Sequence, residues 1–349
     1  MKTKLTFFLL FICFLANGQS PQVQELGKLY MSGKYDQTIE KANKYLNSDP
    51  ENLDYKVILG RALTDKGNYK EAISHLQYAI DRDNSWRKAW GLGYLGTCYY
   101  MLSDFDKSES ALKSCINLNA TKNATRYSAR RLGIFGYDSF YKDWTVKESK
   151  HIRFHFQNMS DQKIKLYIES REKAFVEINK FFESSVPRKI DFFVWNSRDD
   201  AKRIVHANLG FAEPAYCIVH SHFQQTKGHE LTHVISNYSN QITQKTGLIN
   251  EGTSVCFDLA NRNDEKLVFD WIKENNQKID IKDIWANWRK YPHELTYPLS
   301  GLFVNELISE FGKEKFLAFF SNQTYENAKT VFGNELDILI EKFENKYSG

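Results

Sequence analysis

The sequence predicts an α+β protein in two parts: an all-α helical repeat, then a domain that opens with strands and closes with helices. Three observations predict it. Gly33-Lys34-Tyr35 returns 34 positions later as Gly67-Asn68-Tyr69, and a further 36 positions on, weakened, as Ser103-Asp104-Phe105. After residue 150, three segments of six to eight residues alternate or run apolar as strands do. Beyond His222 the apolar residues fall at helical spacing, and strands followed by helices make an α+β plan. A chain of 349 residues has room for two domains, and its 42% hydrophobic and 15% aromatic content suits packed cores rather than disorder.

Residues 1–18 read as an export leader. Lys2 and Lys4 give a basic start, Leu5 to Leu15 is apolar but for Thr6, and Ala16-Asn17-Gly18 places small residues before a cleavage point. The apolar run is shorter than the ~20 residues that span a bilayer. Ile12 is bulky where a lipid-attachment motif has a small residue, so Cys13 is not read as an anchor. The expectation is a secreted or periplasmic chain with no stable membrane insertion once the leader is cut. Removing two lysines takes the formal charge from +4 to about +2, too little to argue for nucleic acid. Cys98, Cys115, Cys217 and Cys256 show no Cys-x-x-Cys spacing and are expected to be isolated buried thiols.

Residues 19–120 carry the repeat. A 36-residue shift also superposes Leu59-Gly60 on Leu95-Gly96, Leu76 on Leu112 and Ala79 on Cys115. A period near 34 with two helices per repeat is the tetratricopeptide period, and the residues resemble that family's pattern. Gly60 and Ala72 are small where paired helices approach, and Tyr69 and Leu76 fill the space between them. Three such hairpins imply a short solenoid whose concave face either holds a peptide or protein partner or serves as scaffold. Residues 121–150 are expected to form a capping helix, 122–133, and a connector.

Residues 151–349 form the second domain. Strands are expected at 151–156, 189–195 and 215–222, with a helix over 163–185 between the first two. The chemistry lies in His229-Glu230-Leu231-Thr232-His233. On a helix, positions i and i+4 share a face, so both imidazoles reach one metal ion, and Glu230 stands beside the first. Catalytic zinc takes three protein ligands and keeps one place open. Leu248-Ile249-Asn250-Glu251-Gly252 offers the third in Glu251, 18 positions after His233.

Here the chain resembles the gluzincin zinc metallopeptidases, within them the peptidase MA-like group with appended helical repeats. That family pairs HExxH with an Asn-Glu-Gly-type segment. The resemblance spans about 151–349 and is strongest at 228–258 and 297–320. It implies a thermolysin-like α+β domain holding Zn²⁺ through His229, His233 and Glu251. Glu230 would be the general base of peptide-bond hydrolysis, with a peptide or protein as substrate. Tyr297, in Tyr297-Pro298-Leu299-Ser300-Gly301, matches a tyrosine that hydrogen-bonds the tetrahedral oxyanion. An apolar helix, 302–311, is expected to follow and to end at Gly312. No counterpart of the aminopeptidase amine-binding motif precedes His229, which points to endopeptidase action.

Other readings stay open. His293-Glu294-Leu295-Thr296 imitates the motif but ends in Tyr297, so no metal site is expected there. His220 and His222 sit in the strand before the metal helix, either lining the cleft beside an edge strand or filling core and surface positions. Asp258 is a candidate partner for a ligand histidine. The alternative to an enzyme is an inactive peptidase-like protein whose repeats bind a partner. A structural zinc domain would need a fourth ligand with no evident candidate.

Overall fold

The structure is a computed structural model that describes residues 20–240 and 242–347; the leader, 1–18, lies outside them. The chain divides into two compact units after Leu132. No helix among the described residues is long and apolar enough to cross a membrane.

The described residues of the first unit form helices only: α1 Pro21–Met31, α2 Tyr35–Ser48, α3 Leu53–Asp65, α4 Tyr69–Arg82, α5 Trp86–Met101, α6 Phe105–Leu118 and α7 Lys122–Ile134, the last running two residues past the division. Each of α1–α5 packs on the next, and α1, α3 and α5 also pack in series. Side-chain oxygens of Ser20, Asn52 and Asp104 cap α1, α3 and α6. The recurring motif has a conformational cause. Gly33, Gly67 and Ser103 all sit at positive φ, 70°, 89° and 63°, where the chain turns from one helix into the next. Glycine takes this conformation without steric penalty, and Ser103 holds it against one. Cys115 is buried and donates to the Ala89 carbonyl, and Cys98, Cys115, Cys217 and Cys256 are free thiols.

The second unit is a five-stranded sheet followed by helices, an α+β arrangement. Its strands are β1 Thr145–Glu148, β2 Ile152–Phe156, β3 Ile190–Trp195, β4 Phe211–Glu213 and β5 Ile218–His222, in the order β1-β2-β3-β5-β4. The three central strands are parallel and the two outer ones antiparallel to their neighbours. The expected strands are the central three. The strand bearing His220 and His222 is therefore internal, and β4 forms the edge beside it. Every residue of β3 is buried, as a strand covered on both faces requires. Helix α8, Asp161–Phe182, covers one face: Ile164, Tyr167, Ala174 and Ile178 pack on Phe154, Phe156 and Phe192.

The opposite face carries a row of rings set by strand register. His155, Phe193, His220 and Phe211 stack with successive centroid separations of 4.2, 4.4 and 4.9 Å. His220 is fully enclosed: its Nδ1 accepts from Trp195 Nε1 and its Nε2 donates to the Ile134 carbonyl, both at 3.0 Å. It is a core residue, held as the neutral ring, and burial pushes its pKa down to about 3. Unfolded, the same ring titrates near 6.5. Between these values the unfolded chain binds the extra proton, so stability rises with pH across the window and falls on acidification. Wild type should lose about 2 kcal/mol from this ring between pH 7.5 and pH 5. Urea unfolding of wild type and His220→Phe at both pH values checks this: the variant should start less stable and lose less. Equal losses would refute the assignment.

Helices complete the unit: α9 Arg198–Ile204, α10 His229–Asn237, α11 Gly247–Cys256, α12 Asp264–Asn275, α13 Ile281–Asn287, α14 His293–Phe320, α15 Tyr325–Phe332 and α16 Glu335–Lys346. Helix α14 starts well before the expected Leu302 and runs through Pro298, but at Gly312 its backbone leaves helical geometry at φ 80°, the expected stop. Its Phe303, Leu307, Phe316 and Phe319 form a second core with Leu248 and Ile249 of α11.

Candidate metal centre

Two helices bring the expected ligands together. His229 is the first residue of α10 and His233 lies one turn on, their rings 5.1 Å apart. Glu251 stands in the middle of α11, which begins at Gly247 and ends at Cys256. One carboxylate oxygen, Glu251 Oε2, lies 3.5 Å from Nε2 of His229 and 3.5 Å from Nε2 of His233. All three donor atoms fall within 4.8 Å of one another, and no other group of three His, Cys, Asp or Glu side chains converges in this way among the described residues. Zinc bonds of about 2.0–2.1 Å in a tetrahedron place neighbouring ligand atoms about 3.4 Å apart, so the donor set fits the ion in type and spacing.

Close backbone contacts set these positions. A Cβ on Gly228 would lie 2.1 Å from the Phe257 carbonyl oxygen, and the Gly228 N–H donates to the Asp258 carbonyl, joining the start of α10 to the end of α11. A Cβ on Gly252 would lie 2.5 Å from the Ser300 carbonyl oxygen, so α11 rests directly on the α14 backbone. The room that Gly252 makes is used for helix packing. The loop into α10 is held as well. Arg171, buried on α8, lies over the Tyr167 ring and donates to the Gln225 carbonyl at 2.9 Å and to Ser170 Oγ at 3.0 Å. Gln225 Oε1 accepts from the His222 N–H and Ser221 Oγ.

Glu230 is buried beside the first ligand. Burial pushes its carboxyl up to about 7; His229 opposes the rise and Glu251 adds to it. That value suits a group exchanging protons near neutrality. Burial also acts to raise Glu251, but the His229 and His233 rings beside it outweigh burial and hold this carboxyl well below the usual range. The pair is thus driven apart, one carboxylate fixed in its charged form and the other free to take a proton.

Tyr297 reaches the site from α14. Its ring lies 5.9 Å from that of His229, and burial together with the negative charge of Glu251 raises its pKa. His293 is exposed one turn earlier on that helix and joins no metal cluster.

Asp258 is otherwise engaged: its carboxylate accepts from the Ala260 N–H and Arg262. The place beside His233 belongs to Ser254, whose Oγ is 3.0 Å from Nδ1. An Nδ1–H donated to Ser254 leaves Nε2 as the free donor atom. Ser254 was missed in the sequence, although three residues after Glu251 on a helix puts it on the same face. Arg171 was missed for a different reason: 54 positions separate it from Gln225, and no local pattern links them.

No family model matches this sequence, and no curated protein matches it.

Proposed function

We propose that the chain is a zinc-dependent peptidase of gluzincin type, exported to the periplasm or the medium, with a tetratricopeptide-like solenoid that holds a peptide or protein partner. One observation carries this reading: two imidazole nitrogens one helical turn apart, each 3.5 Å from the same oxygen of a carboxylate on another helix. Glu230 on the first of those helices and Tyr297 beside the site supply the other groups that hydrolysis needs.

When bound, zinc supplies Lewis acidity, which polarises a carbonyl and lets water attack near neutral pH. His229, His233 and Glu251 would hold the ion, and Ser254 would keep His233 in the tautomer that faces it. Glu230 accepts the proton of the attacking water and returns it to the leaving amine. Tyr297 donates a hydrogen bond to the carbonyl oxygen as negative charge builds on it.

The test is metal analysis of the purified mature chain with a peptide-library cleavage assay. The expected result is about one zinc per chain, with internal peptide bonds cut, cleavage stopped by a chelator and restored by zinc. Zinc bound with no peptide cut would overturn peptidase action and favour a protein that only binds partners.

A further inference from the structure

We infer that the proposed peptidase selects peptides carrying a carboxylate two or three residues from the cleaved bond, and that the Lys245 ammonium receives it. This rests on the peptidase reading and names the substrate class of the same site.

His229, His233 and Asn237 stand at intervals of four residues on α10, so all three lie along the stripe that faces the metal centre. At 1.5 Å of rise per residue, Asn237 is about 6 Å beyond His233. Nζ of Lys245 lies 3.5 Å from Oδ1 of Asn237. The ammonium is thus carried just past the second imidazole, along the same stripe. The surrounding chain lowers its pKa by desolvation, and the charge of Glu251 acts against that, so the third ligand is within electrostatic reach. The backbone on both sides of Lys245 is tied down. The Thr243 N–H donates to the Ser321 carbonyl at 2.7 Å, and the Gln323 N–H donates to the Gln244 carbonyl at 3.0 Å. The Thr246 N–H donates to Oε1 of the buried Gln323 at 3.0 Å. These bonds fix where the lysine leaves the main chain, which reduces the cost of ordering it on a ligand.

Lys245 is exposed, and among the described residues it forms no ion pair. Its contact with Asn237 joins a cation to a neutral amide at a length beyond an ordinary hydrogen bond. Glu251, whose charge it feels, is committed to the two imidazoles at 3.5 Å. A carboxylate on the substrate supplies the missing partner through a charge-assisted hydrogen bond. Extended peptide advances about 3.3 Å per residue, so a cation roughly 6–10 Å from the metal centre meets a group two or three residues from the cleaved bond. That group is an Asp or Glu side chain or the free end of the peptide. A lysine near the end of α10 also favours the helix dipole, but that role alone changes melting and leaves the choice of peptide untouched.

The experiment uses the zinc-loaded mature chain and amidated peptides identical except for Glu, Gln or Lys two or three residues to either side of the cleaved bond. A second set keeps Gln there and ends in a free carboxylate at the same distance, which separates a side chain from a chain end. In one set, wild type should cut the acidic peptide about tenfold better in kcat/KM than its neutral counterpart at low ionic strength, with the advantage shrinking in about 0.5 M salt. Lys245→Gln should bring that ratio close to one, Lys245→Arg should keep most of it, and Lys245→Glu should turn the preference to the Lys peptide, all with zinc retained. Calorimetric binding of the same peptides to the zinc-loaded Glu230→Gln protein supplies a readout without turnover, with the same order expected. No preference in wild type, or one that survives Lys245→Glu, overturns this inference and leaves peptidase action standing. Failure to cut any peptide overturns the peptidase reading, and the binding order then decides whether Lys245 takes a carboxylate.

Discussion

Glu230→Gln should lower kcat by about 10²–10⁴-fold while the protein keeps its zinc, the contribution expected of a positioned general base. Glutamine matches glutamate in shape, so the buried pocket stays filled and α10 keeps its geometry. The change removes the capacity to take a proton. Glu230 is not among the three converging donors, so metal content should not change. The affinity for uncleaved peptide should also hold, which places the loss in kcat rather than KM. Steady-state kinetics with zinc stoichiometry on the same preparation checks this. A variant that cleaves at the wild-type rate would remove Glu230 from the role of base; one that loses zinc would make it part of the metal's support.

His233→Ala should have the opposite signature, with the metal gone and activity gone as a consequence. The substitution deletes one of three donors and leaves two, too few to hold a catalytic ion against dialysis. It also strands Ser254 Oγ and removes one of the two imidazoles that hold the Glu251 carboxylate. Melting makes the effect large. A ligand that binds only the folded state stabilises it by about 4 kcal/mol at a thousand times its dissociation constant. Zinc should thus raise the melting temperature of chelator-treated wild type and leave His233→Ala where it is. A variant that zinc stabilises as much as wild type would remove His233 from the ligand set.

What the sequence disclosed follows the range of the interactions that decide each feature. His229 and His233 were legible because four residues on a helix fix a shared face. The turns at Gly33, Gly67 and Ser103 were legible because one backbone conformation demands one kind of residue, repeated. The central strands declared themselves by length and apolar content. The outer strands, of four and three residues, hold their place through pairing with β2 and β5, and so short a run has no periodicity to read. The start of α14 was expected at Leu302, but packing of α14 against α11 carries the helix back through Pro298 to His293. Asp258 was a reasonable partner for a ligand by spacing, and lost the place to Ser254 because α11 ends at Cys256 and the chain there turns toward Arg262.

The glycine contacts at either side of α11 have one more consequence. Gly228 meets the main chain of Phe257, and Gly252 meets the main chain of Ser300, so the carboxylate's distance from the imidazoles is set by peptide units touching peptide units. Rotamer changes in the surrounding core leave such a spacing alone. Warming should therefore not loosen the grip on the ion by degrees: α10 and α11 release it when they part from one another, making loss of metal and collapse of the tertiary structure a single event.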